Sequence, residues 1–211
     1  MARILITSGP TRQYLDPVRF LSNASSGRMG AALAAAALEA GHDVAVVSGP
    51  VSIDYPKAAD VVPVVSTEQM LAETLRLFGD CDGLIAAAAP CDYRPVIVAS
   101  QKIRKTGKPL RVELVETPDV VAVLAATRQS QWIVAFALET EDPRIRALQK
   151  LEQKDCDLIV VNGPEAIDSP STSLEVLAPD GAVLGSFAGS KTDVARQVFA
   201  IIQKRLIDEA Q

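Results

Sequence analysis

The chain has 211 residues, of which 48% are hydrophobic, 22% charged and 4% aromatic, and it carries a formal net charge of −5. That balance excludes global disorder, and the length suits one large domain or two small ones. The acidic balance and the lack of a Lys/Arg-rich tail argue against duplex nucleic acid as a partner, and no apolar run is long enough to span a membrane.

Read in chain order, strand and helix patterns alternate. Arg3–Thr7 is an apolar run that reads as a buried parallel strand, and it starts so early that no signal peptide fits before it. The alanine-rich stretch Gly27–Glu39 reads as a helix closed by Gly41. Val44–Val47 and Val61–Val65 are the second and third strands. Ser66 opens a helix with Gln69 as its capping-box partner. Gly83–Ala88 is the fourth strand, and Pro118 begins a helix at a first-turn position. Trp132–Ala137 is the fifth strand, Pro143 starts a helix through Lys154, and Leu158–Val161 is the sixth strand. Leu174–Leu177 and Val183–Phe187 flank the turn Ala178–Ala182 and read as a hairpin spanning about 173–188. Ser190 with Asp193 caps a last helix to about Leu206, and Asp208–Gln211 is expected to fray.

Repeated strand–helix units predict an α/β chain forming one domain over 1–211. The architecture is a Rossmann-like, doubly wound, mostly parallel sheet with helices on both faces, plus the C-terminal hairpin. Ligands of such sheets bind outside the carboxyl ends of the strands. The stretch from Cys91 to Leu114 breaks the pattern. It has two prolines, four cations within Lys102–Lys108 and no helical period, which reads as a flap over about 91–114.

Three cysteines, Cys81, Cys91 and Cys156, make an odd set with no short paired spacing, which argues against a disulfide framework or a structural zinc site. A reduced, cytoplasmic protein is the simplest reading. The one histidine, His42, follows Gly41 and reads as a surface turn residue.

Chemistry concentrates in the loop after the first strand, Ser8 to Gly30. Small-residue clusters, Ser8-Gly9-Pro10 and Ser25-Ser26-Gly27, bracket Arg19 and Asn23, and the second runs into a helix start. Exposed N–H groups and the helix dipole there suit a phosphate, although a plain turn and cap would look the same. The loop carries neither a GxGxxG fingerprint nor a P-loop. Ala86-Ala87-Ala88 would let a flat ligand approach a strand end. Asp92 beyond it is either a ligand contact or a turn residue. Lys102-Ile103-Arg104-Lys105 is either a solvated charge run or a clamp for phosphates. Lys150 and Lys154 share a helix face, and Phe136 ends the fifth strand, where it either stacks on a base or joins the core.

These residues together resemble the phosphopantothenate–cysteine ligase (phosphopantothenoylcysteine synthetase) family. The most specific part is Asp16-Pro17-Val18-Arg19-Phe20 followed by Ser22-Asn23 and Ser25-Ser26-Gly27-Arg28-Met29-Gly30. Ser48–Ser52, Asp92-Tyr93-Arg94, Lys102–Lys105, Thr117-Pro118-Asp119, Phe136-Ala137 and Glu139-Thr140 match in the same order. The resemblance implies activation of 4'-phosphopantothenate by CTP or ATP, an acyl-nucleotidylate, release of pyrophosphate and attack by the L-cysteine amine, with Mg2+ required. It gives Asn23, Arg19 and Lys102 catalytic roles. It assigns Gly9, Ser25, Ser26, Gly27, Ala86, Ala87, Ala88, Asp92, Lys105, Thr117, Pro118, Asp119, Val120, Phe136, Lys150 and Lys154 to substrate and nucleotide; no metal ligand is assigned. It also implies a homodimer, with the hairpin Leu174–Phe187 extending a sheet across the interface. With no flavin-dependent decarboxylase half before Met1, a stand-alone ligase is expected. Departures from the family pattern are Arg104, Ala89-Pro90-Cys91 and Ile167–Thr172. The competing readings are an NAD(P)-binding oxidoreductase and a non-catalytic nucleotide-binding relative.

Overall fold

A computed structural model describes residues 1–139, 141–163 and 171–209. Its centre is an eight-stranded sheet of β1 (Arg3–Ser8), β4 (Asp43–Ser48), β5 (Asp60–Pro63), β6 (Gly83–Ala86), β9 (Trp132–Leu138), β10 (Leu158–Asn162), β11 (Ser171–Leu177) and β12 (Val183–Ser190). The spatial order is β12-β11-β10-β9-β6-β1-β4-β5. Six strands run parallel, and β11 and β12 close one side antiparallel. This is the expected mostly parallel Rossmann-like sheet, with the late hairpin continuing it.

Alternation along the inner strands builds two cores. Ile4 and Ile6 of β1 face α1 (Arg28–Glu39) and α5 (Lys191–Ile202), where Leu33, Ala34, Val198 and Phe199 are buried. Leu5 between them faces the other side, with Met70 and Leu77 of α2 (Thr67–Phe78), Leu124 of α3 (Val120–Thr127) and Leu151 of α4 (Pro143–Gln153). A strand buried on both faces reads as a continuous apolar run, as β1 does. Alanines in α1 give it the flat surface against which α5 packs.

Local signals set several ends. Ser66 accepts from the Gln69 N–H, and the Gln69 side chain accepts from the Ser66 N–H, a complete capping box. Pro143 is at the start of α4, and Ser190 caps α5 through the Asp193 N–H. Helix α5 runs on into a π-helical turn, Gln203–Asp208.

Other ends differ from the sequence reading. Pro118 stands outside α3. The carboxylate of Asp119 captures the N–H groups of Val121 and Ala122 and makes Asp119 the cap instead. β6 stops at Ala86, because Ala89 turns to bridge Pro10. The third strand is Asp60–Pro63, ahead of the expected Val61–Val65. Helix α4 ends at Gln153 with Lys154 as its cap. His42 is a buried residue, 7% exposed, and not a surface one. Its Nδ1 accepts the Ala2 N–H at 3.0 Å, and its ring meets the edge of Phe199.

Two loops contain pairing that the sequence reading did not anticipate. In the first, β2 (Arg12–Tyr14) pairs antiparallel with β3 (Phe20–Ser22). In the flap, β7 (Tyr93–Pro95) pairs antiparallel with β8 (Leu114–Glu116). Strands of three residues carry no usable period. Thr140, Ile167–Pro170 of the altered loop, and Ala210 and Gln211 of the expected frayed end lie outside the described residues.

The packing yields a stability prediction. Leu33→Ala removes a fully buried side chain between β1 and α5 and should cost about 3 kcal/mol. Ser66→Ala loses one cap and should cost about 1 kcal/mol. Urea unfolding should show the first midpoint falling well below the second at unchanged slope.

Candidate functional site

The chain passes from β1 to β4 and β5 on one side, then returns to place β6 on the other side of β1. Strand order therefore reverses between β1 and β6, and the loops beyond their carboxyl ends part to leave a crevice. A cleft of about 730 Å³ lies there, a volume suited to a small-molecule ligand.

One wall is the start of α1. Gly27 precedes the helix with φ of 76°, a left-handed conformation that glycine adopts without strain. A Cβ there would also crowd Val51, so packing requires glycine as well. The first intrahelical bond runs from the Ala31 N–H to the Gly27 carbonyl at 3.1 Å, which leaves the preceding N–H groups without helical partners. Ser25, Ser26, Gly27 and Gly30 line this wall. Gly30 is required by contact, since a Cβ there would overlap the Ser8 side chain. Ser8 Oγ donates to the Gly27 carbonyl at 3.2 Å, and Tyr55 OH donates to Ser8 Oγ at 2.9 Å. The end of β1 is thereby fastened to the start of α1.

The floor is the strand ends. Ala86 ends β6 and Ala87 and Ala88 follow it, and Phe136 and Leu138 come from β9. Asn23 reaches across from the first loop. Its Nδ2 donates to the carbonyls of Ala89 at 3.2 Å and Pro90 at 2.8 Å. Two acceptors fix the orientation of the amide and leave Oδ1 as its available atom.

The far wall is the turn at Asp92 and the start of α3. Cys91 holds this turn. Its N–H donates to Thr11 Oγ1 at 2.8 Å, and its carbonyl accepts from Thr117 Oγ1 at 2.6 Å and Thr67 Oγ1 at 3.2 Å. Burial pushes its thiol pKa up, as it pushes that of Cys156 to about 12, so both stay protonated and serve as packing. Thr117, Pro118, Asp119 and Val120 continue the wall.

At the rim, Lys150 of α4 and Lys154 at its cap are both paired. Lys150 Nζ lies 2.7 Å from the buried carboxylate of Glu139, and Lys154 Nζ lies 2.9 Å from Asp119. Burial would raise the Asp119 pKa, but Lys154 and the N–H groups of Ala122 and Val121 outweigh it and hold the carboxyl below its usual range.

The cleft thus gathers Asn23, the Ser25–Gly27 turn, the alanines, Asp92, Thr117–Val120, Phe136, Lys150 and Lys154. Gly9, Arg19, Lys102 and Lys105 are not among its lining residues. Gly9 lies behind the wall, where a Cβ would meet Val51. Arg19 pairs with Asp16, and Lys102 and Lys105 stand exposed on the flap. Glu116, Asn162 and Lys191 also line the cleft and were not singled out from the sequence, and Arg28, which lines it too, was noted for its resemblance alone. Lys191 begins a helix far along the chain, so nothing local connected it to the first loop. Glu139 was noted for its resemblance alone; its burial beside Lys150 appears only in three dimensions. Among the described residues no group of three or more His, Cys, Asp or Glu side chains could hold a metal ion. No described helix is long and apolar enough to cross a membrane.

Residues 1–206 match the family model of the DNA/pantothenate metabolism flavoprotein C-terminal domain. The Coenzyme A biosynthesis bifunctional protein CoaBC of Vibrio vulnificus strain YJ016 is 38% identical over 205 residues, covering 92% of this chain and 51% of that protein. CoaBC of Escherichia coli K12 is 40% identical over 186 residues, covering 84% and 46%. The chain spans about half the length of these relatives. A crystal structure of the C-terminal domain of CoaBC matches with a TM-score of 0.83 at 34% identity, covering 98% of this chain and 96% of that one. A Cab2 variant in complex with phosphopantothenate-cysteine shares the fold with a TM-score of 0.77 at 16% identity, covering 100% and 89%.

The Asp119–Lys154 pair carries a pH signature. A carboxyl with a depressed folded pKa adds stability that is fully present above its unfolded pKa and is lost as the pH falls through its folded pKa. Asn in place of Asp119 still caps α3 but loses the charge. Asp119→Asn should therefore be less stable than the parent at pH 7, and the gap should begin to narrow as the pH falls below about 4. Urea midpoints of both proteins at the two pH values check this.

Proposed function

Because this chain belongs to the family of DNA/pantothenate metabolism flavoprotein C-terminal domains, we propose that it is a ligase of coenzyme A biosynthesis joining 4'-phosphopantothenate to L-cysteine. The observation that carries this reading is the cleft itself. A helix start bare of side-chain caps, a strand-end floor of alanines and two rim lysines meet at one switch point.

On this reading a carboxylate oxygen of phosphopantothenate attacks the α-phosphorus of a nucleoside triphosphate, CTP or ATP. The bond to the β-phosphate oxygen breaks and pyrophosphate leaves. The lone pair of the cysteine amine then attacks the acyl carbon. The carbon–oxygen bond to the nucleoside monophosphate breaks, and the amine loses a proton as the amide forms.

The residues divide this work. The first turn of α1, with Ser25, Ser26 and Gly27, receives phosphate oxygens on its N–H groups. Gly9 gives the end of β1 the turn that holds this wall in place. Asn23 presents Oδ1 to a donor of the acyl group, its Nδ2 being held by Ala89 and Pro90. Ala86–Ala88 and Phe136 take the flat base, with Asp92 and Thr117–Val120 on the opposite side. Lys150 and Lys154 add positive charge at the rim. Lys102 and Lys105 close from the flap over the phosphates, where charge develops in the first step, and Arg19 stands at the flap's root. Magnesium would suit this donor set as a triphosphate-bound ion: with no three-residue cage among the described residues, phosphate oxygens would supply most of its ligands, and Asp92, Glu116 and the Lys154-paired Asp119 are the carboxylates in the cleft wall.

The same reading makes the chain one cytoplasmic ligase domain that acts as a homodimer. Exposed apolar residues on the flap side (Tyr93, Val96, Ile97 and Val115) and the outer edge of β12 are the surfaces that support pairing.

The purified chain should release pyrophosphate when both phosphopantothenate and cysteine are supplied, and a comparison of the four common nucleoside triphosphates should reveal the co-substrate. No release with any of them would overturn the proposal. Lys102→Gln should slow pyrophosphate release by about a hundredfold. Asn23→Asp would set a carboxylate against the Ala89 and Pro90 carbonyls and should cut turnover by a similar factor; unchanged turnover would remove Asn23 from the mechanism.

A further inference from the structure

Among the described residues, Asp16 is the one carboxylate with no exposed side-chain surface at all, and it takes no part in the cleft. It sits in the turn between β2 and β3. Oδ1 accepts the N–H groups of Val18 at 2.9 Å and Arg19 at 3.0 Å, the ordinary work of an aspartate in a turn. Oδ2 does something the turn does not need. It accepts Arg19 Nε at 2.9 Å and a second bond from Arg19 Nη2, and it also accepts the backbone N–H of Ile103 at 3.1 Å. Arg19 Nη2 then donates to the Ile103 carbonyl at 2.6 Å. One ion pair therefore grips both backbone polar groups of a single flap residue, 87 and 84 positions along the chain. The Ala99 N–H adds a further tie to the Leu15 carbonyl at 3.0 Å.

Ile103 follows Lys102 directly. A lysine side chain is long and flexible, so the place where its charge acts is set first by where its backbone is held. We propose that Asp16 is a positioning residue: through Arg19 and the backbone of Ile103 it locks the flap onto the first loop and so fixes the base from which Lys102 works. Burial would raise the Asp16 pKa, but the bonds from Val18, Arg19 and Ile103 outweigh it and keep the carboxyl far below its usual range. The lock therefore stays charged through the neutral range. Charge matters because a carboxylate without water needs this many donors, and removing its charge weakens every bond in the set.

The kinetic arm of the test rests on the ligase reading; the structural arm does not. Amide exchange at Ile103 and trypsin cleavage after Lys102, Arg104 and Lys105 read the lock directly in the full chain. Asp16→Asn and Arg19→Gln should each speed both by about tenfold, the factor expected for weakening a charge-assisted hydrogen bond. Ile103→Ala keeps the backbone groups and should leave trypsin cleavage as in the parent. Should Asp16→Asn fail to fold, Arg19→Gln decides the structural arm. Unchanged exchange and cleavage would overturn the lock. In kinetics, Asp16→Asn should lower the rate of pyrophosphate release about tenfold with the KM for cysteine unchanged. A looser flap with an unaltered release rate would overturn the positioning role, as would equal losses in both. If the parent releases no pyrophosphate the ligase reading fails, and flap exchange and cleavage still judge the lock.

Discussion

β1 lies between β4 and β6, parallel to both, and the chain reaches those two neighbours on opposite sides. This forces the loops beyond β1 and β6 to diverge. The floor and one wall of the cleft come from chain leaving parallel strands at their carboxyl ends: the first loop after β1, the alanines at and beyond the end of β6, Phe136 near the end of β9 and Asn162 at the end of β10; the starts of α3 and α5 and the end of α4 supply the rest. β1 can occupy that central position because its side chains are apolar on both faces, Ile4 and Ile6 toward one layer and Leu5 toward the other.

Small residues then decide how near the segments come. A side chain at Gly30 would collide with Ser8, and the fastening of α1 to β1 through Ser8 and Tyr55 would be lost. The bare first turn of α1 is thus a consequence of packing as much as of chemistry. The turn at Cys91 follows the same logic. Its backbone is tied to the first loop, α2 and the end of β8 by three threonines, which holds Asp92 in place.

The positive charges near the site are managed by internal partners. Lys150 has Glu139, Lys154 has Asp119 and Arg19 has Asp16. In a chain with net charge −5, such pairing keeps cations oriented at the rim and the flap root before any ligand arrives. Lys154 and Asp119 are both partly exposed and can part toward an anion at modest cost, since exposed ion pairs contribute little, whereas a Lys150 that turned away would leave the buried Glu139 carboxylate without its partner. The Asp16 pair has a carboxylate with no access to water, so it behaves as structure.

What the sequence determined by itself was whatever depends on near neighbours. The runs of β1 and β4, the capping box at Ser66 and Gln69, the proline opening α4 and the turn at Ala178–Ala182 are written in a few adjacent residues, because caps, turns and side-chain period are local. The loop from Ser8 to Gly30 stood out for the same reason, through its small residues and its run into a helix. The tertiary structure decided where distant segments meet. It buried His42 against Phe199, gave the α3 cap to Asp119 over Pro118 and folded Arg12–Ser22 into a hairpin. It brought Lys191 into the cleft and spent Arg19 on Asp16 and Ile103. Each of these outcomes turns on burial or on a hydrogen bond between residues far apart in the chain, and no local pattern records the partner that a folded chain will supply.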